Sequence, residues 1–415
     1  MKRNLTTKTL ILLGSLALVS CGGKSSSSSV SSSLTPADVY STLTNGLNAY
    51  FSHDQLGFNF SRHPDTVKSG KKSSDFSLTY TPVEKPATSS SESSASVLAA
   101  DTSASSSLPI DFSKPIIVGL SGFASDSYPA NCYLNGLSDS VGDSLLGYFH
   151  LDYPTISVSQ GESTLLNTTE TYLTNYLDLN SFYLDLAGVS SLEIGALNSA
   201  VQSIPGNESW SFPKGNRGKV NLNSKLTSFL SYFLPIQHYL PSLTDAIVTS
   251  LKNDQNGSRA LHQTYAQSEE GITLSLSIPS FARLYTMIVD WTKALIVAET
   301  SDTFEQAAKF ALVNDAVLKP IKKYGDCLST FTLAASLTYS SSGLKEAIFV
   351  VDGAADLAKL QAAYSSDDPS GFVTAFHGAG ILDFVVDELA AIPTPKPALS
   401  TYPTIPAITI ATPLA

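Results

Sequence analysis

The feature that most constrains the fold is the grouping of β-strand patterns into adjacent pairs. Alternating apolar and polar stretches flank short polar turns in three places, at residues 169–188, 261–278 and 330–352. Two alternating stretches on either side of a short turn predict a β-hairpin. Hairpins build antiparallel sheets, and strand patterns do not alternate regularly with helical ones here. This order argues against a doubly wound parallel sheet.

Further strand patterns lie outside these pairs, at residues 75–83, 110–123 and 148–159. In the first of them, Phe76, Leu78 and Tyr80 alternate with serine and threonine, which is typical of a half-buried strand.

A helix is predicted to begin at Thr35. This residue is a favourable N-cap, Pro36 suits the first helical position, and Asp38 completes the start signal. An apolar face then follows at helical spacing, formed by Val39, Leu43, Leu47 and Tyr50.

Other helical patterns complete an α+β fold, in which one large antiparallel sheet carries helices on one face. The two strongest helices span residues 280–299 and 304–323, and Pro320 is expected to end or kink the second. The remaining candidates are 192–204, 226–240, 243–251, 354–364 and 371–391.

The first 20 residues have the physical properties of an export signal. Lys2, Arg3 and Lys8 are basic, and residues 10–19 carry no charge. An apolar run of this length matches the core of a signal peptide and is shorter than the roughly 20 residues that span a bilayer. Cys21 stands directly after this segment.

Leu18-Val19-Ser20-Cys21, followed by two glycines, resembles the lipobox of bacterial lipoproteins. The resemblance implies cleavage before Cys21 and attachment of lipid to its thiol. Two acyl chains anchor a protein stably where one chain binds only marginally. We therefore expect a lipid-anchored protein on the extracytoplasmic face of the cell membrane or outer membrane. The alternative is a plain secretory signal with a chance cysteine.

The domain organisation follows from composition. Residues 1–20 form the signal peptide and 21–34 a serine-rich tether. Residues 35–392 form a single α+β domain with a serine-rich insertion at 85–107, expected to be disordered. Residues 393–415 form a tail rich in proline and threonine, expected to be extended.

Charge excludes one class of partner. Removal of the signal peptide removes three basic residues and leaves 22 basic against 36 acidic residues, a net charge of −14. An acidic surface repels nucleic acid, so no nucleic-acid partner is expected. No later stretch is predicted to span a membrane, since the best candidate, residues 284–298, is interrupted by Asp290 and Lys293.

Catalytic, metal and cofactor motifs are not found in the sequence. Gly119-Leu120-Ser121-Gly122 is one residue short of a nucleophile elbow. His150 and Asp152 share one strand face, which is typical of a solvated surface. No two of the six histidines lie three or four residues apart, as a metal-binding helix would require. We therefore expect a protein that is not an enzyme and holds no metal or cofactor.

Two cysteines remain besides Cys21. The extracytoplasmic location permits a disulfide between Cys132 and Cys327. The alternative is two isolated buried thiols.

Three segments resemble LolA/LppX-type lipoprotein carriers: TYLTNYLDLNSFYLDLAG at 171–188, SEEGITLSLSI at 268–278 and STFTLAASLTYSSSGLKEAIFVVDG at 329–353. The resemblance, over about half of the mature chain, implies a large curved, half-barrel-like sheet with helices over its concave face. The space between them would hold acyl chains.

The predicted function is binding of a lipid or other apolar ligand between sheet and helices. The helix at 280–299 presents one apolar stripe, formed by Phe281, Leu284, Tyr285, Ile288, Trp291 and Leu295. A sheet face formed by Ile272, Leu274, Leu276 and Ile278 precedes it. The stripe lines a ligand cleft if the helix stands off the sheet, and it forms a closed core if the two are in contact. The alternative function is an adhesive or envelope-structural lipoprotein without a small-molecule site.

Aromatic residues cluster on the hairpin at 169–188. Tyr176 and Tyr183 are expected to pack within the fold, and the alternative is that they line a pocket.

Overall fold

The computed structural model describes residues 34–53, 56–61, 76–83, 114–121, 130–134, 147–152, 155–167, 172–178, 180–202, 207–222, 224, 227, 240–255, 262–367, 371–385 and 398–407. Cys21, with the signal peptide and most of the tether, lies outside these residues, as do the insertion at 85–107 and most of the helical candidate at 226–240.

Among the described residues, fifteen strands join into one hydrogen-bonded sheet. They are β1 Leu56–Ser61, β2 Phe76–Pro82, β3 Ile116–Ser121, β4 Ala130–Leu134, β5 Gly147–Asp152, β6 Thr155–Gln160, β7 Ser163–Asn167, β8 Tyr172–Leu177, β9 Ser181–Asp185, β10 Arg217–Asn221, β11 His262–Ser268, β12 Gly271–Ile278, β13 Leu328–Ser340, β14 Gly343–Ala355 and β15 Gly371–Val385.

The sheet branches at β15. Its main path runs β10-β9-β8-β5-β4-β1-β15-β14-β13-β12-β11, and a second arm leaves β15 through β2, β3, β6 and β7. One edge of β15 pairs with β2 along residues 371–378 and with β1 along 381–385. The pairs that define these paths are antiparallel, which confirms the predicted α+β fold with a large antiparallel sheet.

The helices are α1 Pro36–Phe51, α2 Ser191–Gln202, α3 Leu240–Gln255, α4 Phe281–Glu299, α5 Thr303–Val313, α6 Lys319–Gly325 and α7 Leu357–Tyr364. Residues of α1, α3, α4 and α6 share one apolar cluster with β12 and β13, so these helices cover one face of the sheet. In the part of the chain that is described, no helix is both long enough and apolar enough to cross a membrane.

Helix α1 begins as predicted. The Asp38 amide donates to Thr35 Oγ1 at 3.2 Å, and the Thr35 amide donates to Asp38 Oδ2 at 3.1 Å. These reciprocal bonds form a capping box. The apolar face of the helix is buried against the sheet.

Pro320 does not end its helix. A π-helical turn, Asn314–Leu318, stands directly before α6 and joins it to α5 without a break. The wider turn gives the proline ring the space that an α-helical turn denies it.

The prediction of a helix at 371–391 is wrong, because residues 371–385 form β15. This strand makes ladder bonds along both edges, to β14 on one side and to β1 and β2 on the other. Pairing along both edges overrides the helical spacing of its apolar residues, since strand preference depends on the tertiary context.

The tail beyond residue 392 is docked where it is described. Tyr402 is buried, and Lys219 forms a parallel bridge with Thr404. Leu399–Thr401 form a 3-10 turn, which differs from the predicted extended tail, and the residues that follow run along β10. The buried Tyr402 side chain attaches the segment to the domain.

Candidate apolar site on the interior face of the sheet

One face of the sheet carries the apolar residues that meet the helices, and we call it the interior face. Leu274 pairs with Leu337, Leu337 with Ala347, and Ala347 with Leu382. Residues directly opposite each other on neighbouring strands share a face. The interior face therefore runs without interruption from β12 across β13 and β14 to β15.

Helices cover the β12 and β13 half of this face. The structure brings together the predicted stripe of α4 and the predicted sheet face, since Leu284, Ile288 and Trp291 share a buried cluster with Leu274 and Ile278. Phe281, Tyr285 and Leu276 pack at its margin. Direct contact between these residues matches the closed-core alternative, with no cleft between them.

Two hydrogen bonds within the helix-covered half hold its layers together. The Trp291 indole N–H donates to Ser250 Oγ of α3 at 3.2 Å, and the Tyr339 hydroxyl donates to the Val39 carbonyl of α1 at 3.0 Å. Burial raises the pKa of Tyr339, so this phenol stays a neutral donor. The first bond links α4 to α3, and the second links β13 to α1.

Beyond the helices, the interior face continues as a second apolar cluster, which we call the branch cluster. It consists of Ala335, Ala347, Phe349 and Leu382, which are all buried. The side chains packed against it come from strands and include Phe76 and Leu120 of the second arm and Leu173 of the main path. Both arms of the sheet therefore contribute to its cover.

The floor of the branch cluster is built from small residues. Phe349 pairs with Ala335 on one side and with Gly380 on the other. Next to this row, the ring of Phe76 lies over Gly378, where an added Cβ would stand 3.0 Å from two ring carbons. Small residues therefore lie beneath aromatic rings in this region. Sequence reasoning missed this cluster, because its small residues give no apolar stripe.

Cys132 of β4 and Cys327, which directly precedes β13, lie beside opposite ends of β15. Cys327 is a free, buried thiol that packs near Phe372, and its S–H donates to the Lys323 carbonyl. Cys132 is aligned through β1 with Phe384. Twelve residues of extended strand separate Phe372 from Phe384, roughly 40 Å. Bridged cysteines have Cα atoms within about 7 Å, so the structure does not support the possible disulfide between Cys132 and Cys327.

On the other face of the sheet, Tyr148, Tyr176 and Tyr183 stand in one cross-strand row. The adjoining row contains His150, Thr174, Asp185 and Arg217, and His150 Nδ1 lies 2.9 Å from Thr174 Oγ1. Tyr176 and Tyr183 are buried with Tyr402 of the tail. These tyrosines therefore pack within the fold, as expected. The side chain of Asp152, which the sequence places on the same strand face as His150, lies outside the described residues.

A pair formed by a histidine and an aspartate, which sequence reasoning did not identify, lies on this face of the sheet, opposite the interior face. His377 Nδ1 stands 2.7 Å from Asp352 Oδ1 across β14 and β15, and more than half of the Asp352 side chain is exposed. Within the described residues, no three His, Cys, Asp or Glu side chains come together as a metal site would require. The pair is a solvated cross-strand contact.

No family model, curated protein or solved structure matches this chain.

Proposed function

We propose that this chain is a membrane-anchored extracytoplasmic lipoprotein that binds an apolar ligand, such as an acyl chain, on the interior face of its sheet. Attachment through Cys21 rests on the lipobox. Ligand binding rests on one structural observation, which is that the apolar face extends beyond the helices into a cluster with a floor of alanine and glycine.

The helix-covered half would be costly to open. Lifting α4 would expose Leu284, Met287, Ile288 and Trp291, and each large apolar side chain costs about 1.5–3 kcal/mol to expose. Opening the branch cluster requires rearrangement of the Phe76 ring above Gly378. Each methylene of an entering acyl chain gains about 0.8 kcal/mol on burial, which would offset the cost of moving that ring.

The test compares one substitution on the two faces of β13. Ala335→Leu fills the floor of the branch cluster, whereas Ala334→Leu places the same side chain on the opposite, exposed face. Both are made in the mature chain with Cys21→Ser, so that the only lipid present is bound ligand. We expect lipid to co-purify with the parent chain and with Ala334→Leu, and its amount, measured by extraction and mass spectrometry, to fall at least tenfold in Ala335→Leu.

Equal lipid in the two folded variants would place the ligand elsewhere. The helix-covered half is tested separately with Trp210→Phe, which leaves Trp291 as the only tryptophan. A saturable change in Trp291 emission on titration with fatty acid or phospholipid would locate the ligand beneath α4.

A second candidate function is an adhesive or envelope-structural lipoprotein without a small-molecule site. The observation that favours it is the closed packing of α4 on β12 and β13. Absence of both co-purified lipid and any Trp291 response would select this function, and attachment through Cys21 would stand in either case.

A further inference from the structure

The C-terminal segment extends the sheet at one edge. On the main path β10 pairs with β9 alone, and its other edge receives residues 403–405. The Lys219 amide donates to the Pro403 carbonyl, and the Ile405 amide donates to the Lys219 carbonyl, both at 2.9 Å. These two bonds define a parallel bridge, so the segment binds by strand addition.

Its side chains straddle the edge strand. Tyr402 packs on the outer face against Tyr183, with ring centroids 5.9 Å apart. Its hydroxyl donates to Asp185 Oδ2 at 3.1 Å, and the same carboxylate oxygen accepts from Arg217 Nε at 2.7 Å. Burial and the Asp185 carboxylate raise the pKa of Tyr402 to about 12, which keeps it a neutral donor.

Ile405 packs on the interior face instead. It lies against Gly218 of β10, where an added Cβ would stand 2.4 Å from Ile405 Cγ1. The indole N–H of Trp210 donates to the Pro406 carbonyl at 2.9 Å. The edge of β10 is thus a site with a hydrogen-bonded tyrosine position on one face and a glycine notch for isoleucine on the other.

These contacts do not depend on which copy supplies the segment. Residues 386–397 join β15 to the docked segment, and twelve residues reach about 40 Å at most. Six strand spacings of about 4.8 Å separate β15 from β10. The segment can therefore reach its own β10, and a reach of this length also allows it to extend to a neighbouring molecule. Exchange of an identical element is a low-cost route to dimers.

We propose that the edge of β10 is an exchangeable strand-addition site, and that two copies of this chain associate when the segment at 398–407 of one copy docks on β10 of the other. The contacts made between copies are those seen within one chain: the bridge at Lys219, Tyr402 on Asp185, and Ile405 on Gly218. The proposal is independent of ligand binding and of the lipid anchor.

Complementation between two defective variants tests it. Tyr402→Ala with Ile405→Ala weakens the segment and leaves the edge open, whereas Gly218→Leu blocks the notch and leaves the segment intact. Both are made in the mature chain with Cys21→Ser. Each alone should be monomeric by light scattering, and a 1:1 mixture should give a heterodimer of twice the mass.

The control combines all three substitutions in one chain, which should form no dimer with itself or with the Gly218→Leu variant. A mixture that stays monomeric, while circular dichroism and thermal melting show both partners folded, would overturn the proposal. If Gly218→Leu does not fold, a labelled peptide of residues 398–407 is titrated against the chain with the weakened segment. Saturable binding at micromolar peptide is expected, and no binding would refute the site.

Discussion

Gly46 of α1 offers a test in which packing reverses the sign of helix propensity. Replacing an exposed glycine in a helix with alanine stabilises it by about 0.8–1 kcal/mol. At Gly46, however, an added Cβ would stand 2.4 Å from the carbonyl oxygen of Ser340, the last residue of β13 before the turn to β14. That neighbour is backbone and cannot rotate away, so α1 or the turn must shift.

Overpacking of this kind costs about 1–3 kcal/mol, so we expect Gly46→Ala to lower the free energy of unfolding by up to about 2 kcal/mol after the propensity gain is subtracted. Gly195 of α2 is the matched control, because an added Cβ there meets nothing within 4 Å. Gly195→Ala should raise the free energy by up to about 1 kcal/mol. Urea unfolding followed by circular dichroism measures both. Equal stabilisation by the two substitutions would refute the close packing of α1 at Gly46 against the end of β13.

Three further predictions concern the anchor, the thiols and the tail. Cys21→Ser should remove the protein from the membrane fraction, and a variant that stays fully membrane-bound would contradict the lipobox. The mature chain with Cys21→Ser, unfolded without reductant, should yield two alkylated thiols by mass spectrometry, because Cys132 and Cys327 align with opposite ends of one strand. The folded-state pKa of Tyr402 is raised from 10.0 to about 12, so its stabilisation is complete below pH 10 and is lost as the pH rises towards 12. Tyr402→Phe should weaken that alkaline loss of stability, and an unchanged pH profile would show that burial of the Tyr402 phenol beside Asp185 does not raise its pKa.

Local patterns predicted the elements that depend on neighbouring residues. The start of α1 at Thr35 follows from the capping box, and α4 follows the predicted span closely. The β13–β14 hairpin lies where alternation and its turn placed it. In each case, the interactions that define the element lie within a few residues of one another.

The candidate sites were predicted less well, because their partners lie far apart in sequence. Tyr402 meets Asp185 across 217 positions, and Trp210 meets the Pro406 carbonyl across 196. The signals that could have revealed the docked tail are its large apolar residues, Leu399, Tyr402 and Ile405, which stand among alanine, proline, serine and threonine. Without the strand order, nothing indicates that β10 is the edge that receives them.

The branch in the sheet explains why the sequence of β15 was predicted to form a helix. Pairing with β2 ends at Gly378 and pairing with β1 begins at Ile381, so the change of partner falls on Gly378-Ala379-Gly380. Glycine within a strand marks a bend or a close approach of another chain segment, and two strands that share one edge need that room. The same residues also have weak strand preference, and they left the apolar residues around them at a spacing that resembled a helix. Gly380 further contributes to the floor of the branch cluster, opposite Phe349. The small residues that permit the branch are therefore also those that made the sequence of β15 resemble a helix. They lie at the site proposed for the apolar ligand.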